Sequence, residues 1–146
     1  MAFLLGTWRG QGKGEYPTVE SFLYEEEVRF WDIGKPFLAY TQRTWDPANG
    51  TPRHGEMGYW RPAGRDRVEM VLAHPTGIVE IQEGRVDGTR IDVVSTLVGR
   101  TGTAKDVRRL ERTIEVTGDV LSYTLRMAAV GVELTQHLAA ELHREG

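Results

Sequence analysis

The chain contains no cysteine. Disulfides, thiolate metal sites, iron–sulfur clusters and a cysteine nucleophile are thereby excluded. It has no surplus of positive charge: 18 Lys and Arg stand against 21 Asp and Glu, giving a formal net charge of -3. No strongly basic face is implied, which argues against nucleic acid as the main partner. No apolar run is long enough to span a membrane, and the apolar Met1–Leu5 start is too short for a signal segment. A cytoplasmic protein with small-molecule partners, and neither nucleic acid nor membrane among them, is the expectation. Histidine is scarce, with only His54, His74, His137 and His143.

What remains is the composition of a folded domain: 146 residues, 40% hydrophobic and 27% charged. No linker, repeat or low-complexity segment divides residues 1–146, so a single domain is expected. The dominant rhythm is period two, broken by turn residues at short intervals, as in an antiparallel barrel or sandwich. Candidate strands are Gly6–Gly14, Phe22–Trp31, Phe37–Trp45, Arg53–Arg61, Arg67–Ala73, Gly77–Glu83, Arg90–Leu97, Lys105–Val116 and Val120–Ala128. Breakers such as Gly34-Lys35-Pro36, Pro62-Ala63-Gly64 and Asp87-Gly88 separate them. The last segment changes period: Leu134, Leu138 and Leu142 recur every fourth residue, which predicts a short amphipathic helix over Leu134–Arg144. The fold class expected is all-β, an antiparallel up-and-down barrel with a short C-terminal helix. Closure removes the sheet edges, and barrels of this size often enclose one small ligand.

In the first strand Gly6, Trp8, Gly10, Gly12, Gly14 and Tyr16 share one face, and Thr7, Arg9, Gln11, Lys13 and Glu15 the other. The second set is wholly polar, so the glycine face points inward. Three consecutive inward glycines imply a sharp bend, the close approach of another backbone or side chain, or a flat ligand. The spacing fits neither a dinucleotide fingerprint nor a P-loop, and no helix follows to offer its N-terminus.

With cysteine absent, the histidines are the candidates for a transition metal or haem iron. No His-Glu-x-x-His pair suggests zinc, although zinc held by dispersed histidines is a weaker option. On the expected helix, at about 100° per residue, His137 falls on the edge of the leucine stripe and His143 faces away. His137 is thus a permitted ligand, or a boundary histidine hydrogen-bonded to backbone. His54 shares a face with Glu56 and Gly58, lining a cavity or facing solvent, and His74 precedes Pro75 as a turn residue. Leu121, Tyr123, Leu125 and Met127 form an ordinary core stripe whose last member could also touch a ligand.

The run Gly6 to Pro17 fits G-x-W-x-G-x-G-x-G-x-Y-P in full, and Leu134-Thr135-Gln136-His137-Leu138 fits L-x-x-H-L. Together with the blocks Gly34–Gln42, His54–Pro62, Thr76–Glu80 and Leu121–Tyr123, they make nearly the whole chain resemble the nitrobindin family. The resemblance implies a barrel of about ten strands, like the fatty-acid-binding proteins, holding one haem b near one end. It assigns the proximal iron ligand, and with it the catalytic role, to His137. On the distal side it implies His54 and Met127, with Thr18 and Lys105 near the haem. It also implies binding of nitric oxide by ferrous haem and isomerisation of peroxynitrite to nitrate by ferric haem. Two alternatives stand beside that enzymatic reading. One is a nitric oxide sensor or carrier without turnover. The other is a carrier of fatty-acid-like ligands, for which Arg112 or Arg126 would anchor a carboxylate. A homodimer is a possible assembly.

Overall fold

A computed structural model describes all residues 1–146. Period-two patterning becomes ten strands: β1 (Gly6–Tyr16), β2 (Val19–Asp32), β3 (Leu38–Trp45), β4 (Pro52–Pro62), β5 (Arg67–His74), β6 (Ile78–Asp87), β7 (Arg90–Arg100), β8 (Val107–Thr117), β9 (Val120–Ala129) and β10 (Val132–Arg144). Every strand pairs antiparallel with its sequence neighbours, and β1 pairs with β10 to close the barrel. The only helical element is a 3-10 turn at Ala2–Leu4. No helix is long and apolar enough to cross a membrane.

The expected C-terminal helix is therefore absent; Leu134–Arg144 lies within β10. A spacing of four is even, so Leu138 and Leu142 satisfy period two as well as a helical stripe. Ala140 and Leu142 are buried between exposed Glu141 and His143, which is strand alternation. Tertiary pairing decides between the two periods, because β10 has β1 on one side and β9 on the other. Without it both neighbours would be open edges.

The inward glycines of β1 make room for their neighbours. A methyl at Gly10 would meet the backbone of Glu141 and Leu142 on β10, and one at Gly12 or Gly14 would meet the ring of Tyr24 or Phe22 on β2. Close approach by backbone and aromatic rings thus accounts for the three glycines.

The barrel interior has two halves. Trp8, Phe30, Trp60, Met70, Ile91 and Leu142 belong to an apolar core. The 3-10 turn covers that end: Leu4 is fully buried, and Trp8 Nε1 donates to its carbonyl at 2.8 Å. Arg144 lies over the Trp8 ring and donates to the Phe3 carbonyl at 3.0 Å. The other half holds a cavity.

Candidate functional site

In an up-and-down barrel, alternate connections fall at the same end. The turns after β1, β3, β5, β7 and β9 therefore share the end opposite the 3-10 turn. This topology gathers Thr18, His54, His74, Lys105, Met127 and His137 from six different places in the sequence. A cavity of about 370 Å³ lies at this end, with Phe22, Ile78, Leu125, Met127 and Leu138 among its apolar walls. The wall is loosened there, because β7 and β8 pair only between Arg90–Val94 and Glu111–Glu115.

His137 reaches the cavity through an irregularity in β10. Gln136 pairs with Arg126 of β9, and Leu138 pairs with the next residue, Leu125. His137 is thus the extra residue of a β-bulge, a feature that re-aims a side chain. As a result His137 and Leu138, adjacent in sequence, both line the cavity. His137 Nδ1 lies 2.9 Å from the carbonyl oxygen of Glu15. A carbonyl only accepts, so Nδ1 carries the proton and Nε2 keeps its lone pair. The Tyr16 ring packs edge-on against the imidazole at 5.2 Å, and its hydroxyl accepts from Ala129 N–H at 2.8 Å. Burial lowers the His137 pKa, opposed in part by the Glu15 carbonyl, so the ring is neutral at pH 7. A neutral imidazole with a fixed tautomer, set among apolar walls, has the donor chemistry that haem iron requires. His143 faces away and is mostly exposed.

Deeper in the cavity lies a belt of buried polar groups. Arg112 donates to Glu56 Oε1 at 2.6 Å and Oε2 at 3.1 Å, and to Glu80 Oε1 at 2.6 Å. Tyr40 donates to Glu56 at 2.8 Å. Burial opposes ionisation of Glu56, but the Arg112 charge and its hydrogen bonds prevail and hold the pKa at about 2. Glu26 accepts from Gln42 at 3.0 Å and Tyr123 at 2.8 Å, with no cation in contact, and burial raises its pKa to about 7. Tyr123 and Tyr24 share a hydrogen bond of 2.8 Å.

Directly beside the belt, on β4 and at the end of β5, His54 Nε2 lies 3.0 Å from His74 Nδ1. Burial lowers the His54 pKa. Burial also pulls on His74, but the Glu80 and Glu56 carboxylates outweigh it and raise that pKa.

The residues singled out in the sequence divide into two groups. His137, His54 and Met127 line one cavity. Thr18, in the β1–β2 turn, and Lys105, in the β7–β8 loop, are exposed on rim connections and do not line it. Arg112, weighed as a lipid anchor, is buried and already held by two carboxylates, and Arg126 faces solvent. His74 is a cavity residue rather than merely a turn residue. Sequence reasoning passed over Glu26, Glu56 and Glu80 as partners in a buried network. Their signal was parity: each shares a strand face with apolar residues, as Glu26 does with Tyr24 and Val28.

Comparison with known proteins agrees with this geometry. The family described as THAP4-like, heme-binding beta-barrel domain matches residues 1–144. The peroxynitrite isomerase of Nocardia farcinica (strain IFM 10152) is 54% identical over 99% of this chain and 89% of that protein. Peroxynitrite isomerase 2 of Mycobacterium ulcerans (strain Agy99) is 52% identical over 99% of this chain and 92% of that protein. The crystal structure of Rv2717c from M. tuberculosis superposes with a TM-score of 0.93 at 48% identity, covering 99% of this chain and 94% of that one.

Proposed function

Because the chain belongs to the family of THAP4-like haem-binding β-barrel domains, we propose that it is a haem b protein that isomerises peroxynitrite to nitrate and binds nitric oxide when ferrous. Relatives more than 50% identical over nearly the whole chain carry the name peroxynitrite isomerase. The observation that carries the reading is His137, aimed into the cavity by a bulge with its tautomer set by the Glu15 carbonyl.

Haem bound there would supply a Lewis-acidic iron to the peroxynitrite oxygen and the O–O cleavage and recombination that yield nitrate. His137 would hold that group through Nε2, and the hydrogen bond from Nδ1–H to the Glu15 carbonyl orients the ring and raises its basicity. The apolar walls, Met127 among them, would keep bulk water from the reacting atoms and offer the bound group a polarisable contact. β10 and β4 stand well apart around the barrel, so His54 would offer a polar group to the bound haem from a part of the wall distant from His137. Thr18 and Lys105, on connections at the same rim, would supply a hydroxyl and an ammonium to the bound group.

A lipid carrier needs a free cationic anchor inside the barrel, and Arg112 is committed to Glu56 and Glu80. One haem per chain, a single functional domain and a cytoplasmic location complete the reading. So does a homodimer, supported by an apolar row on the outer face. Trp31, Ala39, Tyr59, Val71, Ile81 and Leu97 are successive cross-strand partners on β2 through β7. Trp31, Tyr59, Val71 and Leu97 are 41–50% exposed, and a contiguous patch of this kind marks an interaction surface.

Stopped-flow mixing with peroxynitrite tests the activity. Haem-loaded protein should accelerate its decay, with nitrate as product, and haem-free protein should not. Equal decay with both forms would overturn the enzymatic reading.

A further inference from the structure

The wall opposite His137 carries a second constellation. Around the ring of ten strands β5 lies five places from β10, and β4 is its neighbour. His54 and Glu56 share the inward face of β4, and His74 ends β5. His54 Nε2 and His74 Nδ1 are 3.0 Å apart, His74 Nδ1 and Glu56 Oε2 3.5 Å, and His54 Nε2 and Glu56 Oε2 4.0 Å. Ligands about 2.0–2.2 Å from one tetrahedral ion are separated by roughly 3.3–3.6 Å, so shifts of a few tenths of an ångström would bring all three atoms onto one ion.

Two further features point the same way. First, His74 Nε2 and Glu80 Oε2 are buried without hydrogen-bond partners. His74 Nε2 lies 3.4 Å from Glu80 Oε1. An ion on Nδ1 would place the proton on Nε2, facing that carboxylate, which is the arrangement that orients metal-bound histidines. Second, the charges leave room for a cation. Two buried carboxylates, Glu56 and Glu80, surround one guanidinium, Arg112. The ion would displace the proton now shared between the two rings and leave an open position toward the cavity.

We propose that His54, His74 and Glu56 form a binding site for a first-row divalent transition metal, distinct from the haem ligand and facing it across the cavity. Two imidazoles and one carboxylate suit Zn²⁺, Co²⁺ or Fe²⁺. The site uses no group of the His137 pole, although it claims His54, the distal group of the haem reading; metal binding by haem-free protein therefore tests it apart from that reading.

The test is metal binding by the full chain. Haem-loaded protein is dialysed against Zn²⁺ and its zinc counted by elemental analysis; haem-free protein is titrated with Co²⁺ and its d–d absorption recorded. The expected result is one Zn²⁺ per chain and tetrahedral Co²⁺ bands. Affinity should fall at least tenfold in His54→Ala and Glu56→Gln, and stay unchanged in haem-free His137→Ala and His143→Ala. Because Glu56→Gln also weakens the Arg112 pair, His54→Ala, near the rim with a 35% exposed side chain, carries the test if the other variant misfolds. Circular dichroism checks its fold. Sub-stoichiometric zinc in the haem-loaded protein together with no tetrahedral Co²⁺ bands in the haem-free protein, or undiminished binding by folded His54→Ala, would overturn the proposal.

Discussion

Glu26 and Glu56 sit in the same barrel and titrate in opposite directions, because one has a guanidinium and the other has only neutral donors. The Glu56 pKa is depressed to about 2. Its stabilising contribution is therefore present above the usual carboxylate value and is lost as pH falls from there toward 2. The Glu26 pKa is raised to about 7. Its contribution is fully present below the usual carboxylate value and is lost as pH rises through 7. Glu26→Gln mimics the protonated acid and cannot ionise. Urea denaturation should find it close to wild type at pH 5. At pH 8 it should be more stable by up to about 3 kcal/mol, since each tenfold change in proton affinity is worth about 1.4 kcal/mol. A variant less stable than wild type at pH 8 would contradict this assignment. Parity carries a signal for the inward placement of these acids, since each shares a strand face with buried residues, but sequence reasoning did not use it. Their partners were not legible, because Arg112 meets Glu56 across 56 residues and Glu80 across 32. Only strand register sets those contacts.

Among the elements, β1 was the most legible and β10 the least. The strict alternation of β1 gave its inward face directly, and the glycines signalled crowding. In β10 an even leucine spacing satisfied two periods at once, and the choice fell to the pairing partners on either side. The bulge at His137 leaves no local composition signal, although it is what turns the imidazole inward. Helix geometry puts His137 only on the edge of the apolar stripe and His143 facing away, whereas in the strand it is the bulge that brings His137 to the cavity. The closeness of β1 to β10 carries its own prediction. A methyl at Gly10 would collide with the Glu141 carbonyl, which cannot move without disturbing the β1–β10 pairing. Gly10→Ala should cost about 1–3 kcal/mol in urea denaturation, the usual range for overpacking. Gly102→Ala, with open space around its Cα, should be close to neutral. Equal stability for both variants would show that β1 and β10 are not so closely apposed.

At the scale of the molecule, the up-and-down topology does two things. It brings dispersed residues to one end of the barrel, and it leaves one stretch of outer wall apolar. The period-two pattern and turn spacing made a closed barrel readable from the sequence, and the family motifs pointed to its ligand. The outer row was harder to see, because its members are single residues on successive strands that only register aligns. Met57 and Val79 lie beside that row and are 60% and 50% exposed. Sedimentation should find the haem-loaded wild type dimeric and a Met57→Lys, Val79→Lys double variant monomeric, with an unchanged haem spectrum. A monomeric wild type would refute the dimer.

Of the two poles of the cavity, a neutral imidazole on β10 and a histidine pair with its carboxylates on β4 to β6, the first carries the haem reading. Hemin titration of wild type and His137→Ala, followed by the Soret band, tests that most directly. Wild type should give a saturating one-to-one Soret transition, and His137→Ala, folded by circular dichroism, should lose it while His143→Ala keeps it. An unaltered Soret band in His137→Ala would contradict the assignment of the haem to this histidine.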